Sequence, residues 1–484
     1  MLEYLHLNQY RENGRIEAKK ATGGLPHSIW ETYSAFANTL GGYILLGVIE
    51  KEDKSLEAVD LSDPQALIRE FNEMVNNPKK VSANILSAGD VFEETADGNH
   101  IVVIHVPKAD RTLLPVYLDG DPANAYRRYG EQDIRCSVSD YERMAREREV
   151  KTPDMALYES RDLSDLKEKT LKAFRSRMKE VSPGHLTEAL DDEAFLIKTG
   201  CAAAGSDGRI HPTGAGLLMF GKSWVIKELF PGFSLHYTDD SVRSGKRREP
   251  KTATWYSQYP PEWVPCENVW EFYEATEKAV LADFPLLERT EEERKKIQAA
   301  VLEALVNLLV NTDYHAAAGG WIIKGSRSFI FFNRGFFRTE VSAARRGVSD
   351  PRNAMMKRLF DLVDREHGAG GLAEIYLTWK EAGWAVPEIR EEAHPDSTKV
   401  ILPLHPAETR AKGDRDYVRE LADDLIVYYL TDHGSASVKE MAEYLLLSES
   451  TVRRRLNKLT KEGITGLVPK EKGFVGKQLY RLER

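Results

Sequence analysis

The sequence predicts an α+β multidomain protein that ends in a winged helix-turn-helix. Three observations predict it. At 484 residues the chain is too long for one ordinary core, so three or four domains are expected. Residues 1–150 alternate short apolar strands with helical segments. Residues 415–484 read as three helices followed by two strands around a turn, with the charge unevenly shared among them.

The elements follow in order. Leu25 to Leu40 carries Ile29, Tyr33, Phe36, Ala37 and Leu40 at helical spacing, with Pro26 suited to the first turn and Gly41-Gly42 as the stop. YILLGV and HIVVIHVPK are buried strands. PVYLDGDPANAYRRYGEQDIRCS reads as a hairpin ending in an Arg-rich strand, and DYERMAREREV as a charged helix. In residues 151–290, LSDLKEKTLKAFRSRMKEV is helical and IHPTGAGLLMFGK contains a short apolar strand between glycines. SVRSGKRREPKT reads as a solvated basic loop. EEERKKIQAAVLEALVNLLVNTDYH is a strong helix, followed by strands at GWIIKG and SFIFFN. A polar linker, TRAKGDRD, leads to the last region. There, SVKEMAEYLLL and SESTVRRRLNKLTKEG follow a first helix, the latter with a Ser cap and a stop at Gly463. The boundaries are a domain at 1–150, a connector at 151–290, a third region at 291–410 and the winged helix at 411–484.

Composition narrows the function classes. With 42% hydrophobic and 30% charged residues the chain reads as soluble and globular. Its net charge of −9 excludes a polycation, so any nucleic-acid contact must come from local basic patches. Cys136, Cys201 and Cys266 lie far apart without a C-x-x-C pair, which indicates neither a zinc site nor a disulfide framework. No secretory signal is visible and no apolar run approaches the roughly 18 residues of a membrane span. A cytoplasmic protein without membrane contact is the expectation.

Three constellations can carry chemistry. In RENGRIEAKK, Glu12 and Glu17 stand five apart with Lys19 two beyond, in a short polar stretch ahead of a helix. Two carboxylates suit Mg²⁺ or Mn²⁺, and Glu50, Glu52 or Asp53 of VIEKED offers a third. The bland reading is solvated or capping charges. In LEALVNLLVNTDYH, Glu303, Asn307 and Asn311 fall at i, i+4 and i+8 and share one face of an otherwise apolar helix. Such groups are costly to bury without a purpose. The Asn307 carbonyl can ligate Mg²⁺ between phosphates, and Glu303 can orient or activate a water. The third is the winged helix. Residues 451–484 hold 10 basic and 3 acidic residues, a net +7, whereas residues 415–450 hold 3 and 8, a net −5. Ser450, Thr451, Arg453, Arg454, Arg455 and Lys458 are the candidate nucleic-acid contacts. A winged helix used for protein pairing is the alternative.

The N-terminal region resembles the Schlafen AlbA-type domain. The resemblance rests on Glu12, on Glu17-Ala18-Lys19 with Ala in place of the usual Phe, and on Gly41-Gly42-Tyr43-Ile44-Leu45-Leu46-Gly47-Val48. Glu50 and Tyr126-Arg127-Arg128-Tyr129-Gly130 complete it. It implies a Schlafen-type α+β domain that binds nucleic acid, with Arg127 and Arg128 as candidate contacts. Some relatives cut tRNA with two glutamates and a third carboxylate. That implies an alternative metal-dependent RNase, an antiviral effector, with Glu12 and Glu17 as metal ligands beside Glu50 and Lys19. The middle resembles the ATP-binding module of RecG-like predicted transcriptional regulators, a divergent GHKL-type fold, through HPTGAGLLMFG, LEALVNLLVNTDYH, FIFFNRGFF, SDPRNAMMKRLF and EHGAGGLAEI. It implies a GHKL-like α/β sandwich holding ATP and Mg²⁺ at Glu303, Asn307, Asn311, Asn333, Gly335, Gly368, Gly370 and Gly371, with Glu303 catalytic if ATP is turned over. A homodimer is implied as well. The strict Asp-x-Gly-x-Gly of that fold is absent, Asn311 stands where His is frequent, and no P-loop supports a motor. The combined expectation is an ATP-responsive regulator that binds DNA or RNA.

Overall fold

The computed structural model describes residues 7, 14–240, 251–253, 266–281, 289–316, 319–325, 328–363, 371–393, 396–406, 426, 430, 435–445, 449–461, 463–468 and 478–482. The chain divides into two compact units, Met1–Val150 and Lys151–Arg484. The architecture is mixed α+β.

The first unit is built on a four-stranded sheet. Its elements are β1 (Ile16–Lys19), α1 (Ile29–Ala37), β2 (Gly42–Leu46), β3 (Val48–Glu50), β4 (Leu56–Ala58), α2 (Pro64–Val75), β5 (Val91–Ala96), β6 (Asn99–Val106), β7 (Tyr126–Tyr129), β8 (Gln132–Arg135) and α3 (Val138–Arg148). The sheet order is β1-β2-β6-β5, and β3-β4 and β7-β8 are hairpins. The stretch around Glu17 is therefore a strand, not a polar segment leading into a helix. β1 pairs in parallel with β2, Glu17 opposite Ile44. Its four residues are too short and too charged for a period-2 pattern to show in the sequence. One face of the sheet, with Ile44, Leu46, Val102 and Ile104, packs on Tyr33 and Phe36 of α1 and Phe71 of α2. The Trp30 and Phe71 rings stack at 5.3 Å. At the end of α1 the buried Asn38 amide accepts from Val116 N and donates to Val116 O, both at 2.8 Å, tying a loop backbone to the helix without leaving a buried polar group unmet.

The second unit continues with α4 (Glu168–Val181), α5 (Asp192–Lys198), β9 (Ala202–Ala204), β10 (Ile210–Pro212), α6 (Gly214–Phe220), α7 (Ser223–Leu229), β11 (Leu235–Asp240), β12 (Lys251–Ala253), α8 (Val269–Leu281) and α9 (Glu291–Asn311). Then come β13 (Gly320–Gly325), β14 (Ser328–Arg334), α10 (Val341–Ala344), α11 (Ala354–Val363), α12 (Gly371–Glu381), β15 (Glu388–Glu392) and β16 (Ser397–Pro403). Last are β17 (Ser435–Ser437), α13 (Val438–Leu445), α14 (Glu449–Lys461), β18 (Thr465–Leu467) and β19 (Leu479–Leu482). A six-stranded sheet, β12-β11-β13-β14-β16-β15, forms its centre. GLLMF, expected as a strand, is helix α6. All seven α6 residues are buried, so the run has no polar side from which a helical period could be read. The basic loop at SVRSGKRREPKT lies largely in residues 241–250, outside the described residues.

Helix α9 starts with a capping box between Thr290 and Glu293 and runs for 21 residues. Its second half is apolar nearly all round because the sheet and neighbouring helices both cover it. One apolar cluster reaches from Leu166 to Leu402, so residues 151–290 are not a separate connector but share the core of α9 and the sheet. Asp154, buried, accepts from Met356 N at 2.9 Å and thereby caps α11 from a segment two hundred residues away in sequence. A second cluster covers the sheet's other face. There Trp321, Ile323, Ile330, Phe332 and Ile401 share a core with Met441, Val452, Leu456 and Leu459 of the C-terminal helices. β17-β19-β18 completes that domain, while residues 469–477 between its last two strands and most of residues 418–434, expected as its first helix, lie outside the described residues. Among the described residues, no helix is long and apolar enough to cross a membrane.

Candidate functional site

In the first unit the predicted charges find partners inside the protein. Glu17 accepts from Lys19 Nζ through one oxygen and from Arg128 Nη2 through the other, both at 2.7 Å. Arg128 is 2% exposed and also donates to Asp133 at 2.9 Å, and Asp133 accepts from the Thr32 hydroxyl at 2.6 Å. The guanidinium lies 5.1 Å from the centre of the Phe36 ring. Burial opposes its charge, but Asp133 and Glu17 outweigh that and raise its pKa. Arg127 is equally buried and donates to Asp140 at 3.1 Å. Asp140 also closes the capping box of α3 with Ser137. Burial tends to raise the pKa of Asp140, yet the Ser137 hydroxyl, Arg127 and Arg143 bring it below the usual carboxylate value. Arg127 and Arg128, expected to face nucleic acid, therefore staple α1, α3 and the β7-β8 hairpin from within. Glu50 pairs with Lys54 at 2.8 Å. Glu12 lies outside the described residues. Among the described residues, no three His, Cys, Asp or Glu side chains gather closely enough to hold a metal ion.

In the second unit α9 presents Glu303, Asn307 and Asn311 along one face, as their spacing requires. Asn307 Nδ2 donates to Glu303 Oε1 at 3.2 Å, and Asn311 Nδ2 donates to Asn307 O at 2.9 Å. Glu303 is only 5% exposed. The row forms one wall of a cleft of about 320 Å³ whose other side brings Thr339, Ser349, Lys357 and Arg358 together with the carboxylates of Asp350 and Asp361, the latter paired with Lys357. That volume is in the range of small-molecule sites. A narrow recess continues from Asn307 and Asn311 past Phe331, Phe336, Asn333 and Thr398. The site thus has hydroxyls and charges of both signs at one end, and at the other a recess of about 10 Å³ with aromatic walls and the polar side chains of Asn307, Asn311, Asn333 and Thr398.

Asn333 enters the recess because β14 pairs with β16 in a register that sets it opposite Thr398. Thr398 Oγ1 donates to Gly335 O at 2.9 Å. Gly335 has φ +93°, and a Cβ there would stand 2.5 Å from Arg352 Nη2. Arg352 is committed to Asn311 O at 3.1 Å and Phe336 O at 2.9 Å, so it cannot give way without freeing half-buried carbonyls. Gly335→Ala is expected to destabilise this unit by about 1–3 kcal/mol, read as a fall in thermal midpoint. Asn353 donates to Val310 O and Thr312 O and closes the end of α9. Gly371, at φ +51°, opens α12 beside Glu303. Gly368 and Gly370 lie outside the described residues. Thr339, Ser349, Lys357, Arg358 and Thr398 were not legible in the sequence, because they come from separate elements and carry no shared spacing.

The C-terminal domain exposes one polar face of α14. Ser450, Arg453, Arg454, Asn457, Lys458 and Lys461 line an open groove, while Val452, Leu456 and Leu459 point into the core. Thr451 and Arg455 are half-buried at its flank. Arg453 reaches Glu449 at 3.9 Å, a long and solvent-exposed ion pair that does little to hold the side chain. Asn457 and Lys461 were missed by the sequence reading. They continue the i+4 row from Arg453, which was the available signal.

Comparisons with known proteins agree with the two ends of the chain. Residues 12–137 match the Schlafen, AlbA_2 family, and residues 423–467 match the DeoR-like helix-turn-helix domain. Residues 142–236 match a domain of unknown function (DUF8451). Among solved structures the chain is similar to the DIP2311 protein from Corynebacterium diphtheriae. Identity is 16% over 97% of this chain and 79% of that one, with a TM-score of 0.38. It is also similar to the N-terminal domain of a putative ATP-dependent DNA helicase RecG-related protein from Nitrosomonas europaea. Identity there is 33% over 28% of this chain and 95% of that one, with a TM-score of 0.22. No curated protein matches. The chain thus joins a Schlafen AlbA_2 domain at its N-terminal end to a DeoR-like helix-turn-helix domain near its C-terminal end.

Proposed function

We propose that the protein is an ATP-responsive regulator that binds DNA or RNA through α14 and takes ATP with Mg²⁺ in the cleft on α9. The observation that carries this reading is the exposed row Arg453, Arg454, Lys458 and Lys461 on the second described helix of a helix-turn-helix domain. Such a row meets the phosphate backbone while Asn457 and the arginines reach base edges. The cleft supports the nucleotide part. The recess beside it holds only about 10 Å³, room for a water, so a base would have to spread Phe331, Asn333, Phe336 and Thr398 to enter. Thr339, Ser349 and Arg358 would meet phosphates, with Lys357 shared with Asp361. Asn307 would hold Mg²⁺, which when bound offsets phosphate charge. Glu303 orients the Asn307 amide through its Oε1. A homodimer would present two copies of α14 to half-sites one DNA turn apart.

The alternative, a metal-dependent RNase at Glu12, Glu17 and Glu50, draws no support from Glu17. Both of its oxygens are held by Lys19 and Arg128.

Fluorescence anisotropy with labelled duplex DNA and tRNA, with and without Mg·ATP, tests the reading. Salt-dependent binding to at least one is expected, and no binding to either at low salt would sink it. In calorimetry, Asn307→Ala is expected to weaken Mg·ATP binding at least about tenfold, because it removes the side-chain oxygen assigned to the Mg²⁺. An unchanged affinity would remove the cleft from the proposal.

A further inference from the structure

We infer that the helix-turn-helix reads the occupancy of the cleft directly through strands β14 and β16, without the first unit taking part. This rests on the nucleotide reading of the cleft and adds the route of its regulation.

The two sites lie on opposite faces of a single sheet. Successive strand residues point to opposite faces, so the same strands serve both. On β14, Phe331 and Asn333 line the recess, while Ile330 and Phe332 belong to the core of the C-terminal domain. On β16, Thr398 and Val400 line the recess, while Ile401 belongs to that other core. The register pairs Phe331 with Val400 and Ile330 with Ile401. Each of these recess residues on β14 is thus covalently next to one that shares an apolar core with Val452, Leu456 and Leu459 of α14, and Val400 on β16 is as well. The sheet itself is the whole thickness of protein between the recess and that core, so a displacement has no intervening layer in which to dissipate.

Lys399 stiffens the connection. It is buried, with Nζ 4.5 Å from the Phe332 ring centre and 3.5 Å from Glu392. Burial lowers its pKa, an effect that Glu392 partly offsets. It holds Phe332 from the side while the helical domain covers it. Close-packed interiors transmit such shifts rather than damp them. A ligand that spreads Asn333 and Thr398 must therefore move Phe332 and Lys399, and the seat of α14 with them. A coupling of this kind changes affinity by roughly 5- to 150-fold.

The test uses the full chain, a fluorescein-labelled DNA duplex of mixed sequence, and Mg·ATP or Mg·ADP as the cleft probe. The duplex dissociation constant is expected to change at least about fivefold on saturation with one of the two probes. Phe332→Leu and Lys399→Met are each expected to shrink that ratio towards one, while nucleotide affinity and nucleotide-free duplex affinity stay within about twofold. Calorimetry separates the ways of failing. No heat with either probe would defeat the nucleotide reading, and this inference with it. Binding of probe and duplex that are mutually indifferent would overturn the inference alone. A changed duplex affinity that persists undiminished in both variants would overturn the route through the sheet.

Discussion

Replacement of Arg453, Arg454 and Lys458 together by alanine is expected to lower duplex affinity about 100-fold at physiological salt. The three side chains lie on one exposed face of α14, where Arg453 reaches Glu449 only at 3.9 Å. At such exposed positions stability should change by no more than about 0.5 kcal/mol for each. The larger signature is in the salt dependence. Each phosphate that is no longer neutralised reduces the slope of log affinity against log salt by about one, so the triple variant should lose about three. Measuring affinity over a salt series distinguishes this from a general loss of fold, which would abolish binding at every salt. An unchanged slope would mean that these α14 side chains do not meet the phosphates and would overturn the assignment of this face to nucleic acid.

Arg128→Ala is expected to destabilise the first unit by about 3–5 kcal/mol, the usual consequence of removing one member of a buried ion pair. The cost exceeds the direct contacts because Glu17 and Asp133, both little exposed, lose the cation they share, and Asp133 loses it without the Lys19 that Glu17 retains. Lys19→Ala should cost much less, about 1 kcal/mol or below, since Glu17 keeps Arg128 as its partner. Hydrogen exchange read by mass spectrometry on the peptides of β2 and β6 reports this unit apart from the rest. Exchange there is expected to accelerate about 150- to 5000-fold in Arg128→Ala, as a loss of that size implies. Unchanged protection would show that the network is dispensable. The same logic bears on nuclease assays. Glu17→Ala removes a partner of Arg128, so a loss of cleavage in that variant must be set beside its exchange profile before any metal role is assigned.

Much of the chemistry was legible where one element carries it. The row Glu303, Asn307, Asn311 obeys helical spacing, and α9 delivers it to one wall of the cleft. The basic row on α14 was read the same way, short of Asn457 and Lys461. The opposite wall of the cleft was not legible, since Thr339, Ser349, Lys357 and Thr398 meet only through the register of β14 with β16 and the placement of α11. The arginines of YRRYG were misread because a guanidinium in a strand looks the same in sequence whether it faces water or a buried carboxylate. Burial is decided by Glu17, Asp133 and Asp140, which approach Arg127 and Arg128 from other strands and from α3.

By itself the sequence determined the α+β class, the helix and strand character of the periodic segments, and the charge that marks α14 as a surface for polyanions. These are local properties, set by spacing and composition within a few turns of chain. Only the tertiary structure decided which charges are spent inside the protein and which remain for a ligand. It alone showed that residues 151–290 belong to the core of α9, and that cleft and helix-turn-helix share the two faces of one sheet. Those outcomes depend on contacts between residues far apart in sequence, where pairing of charges and exclusion of water, rather than local spacing, set the energy.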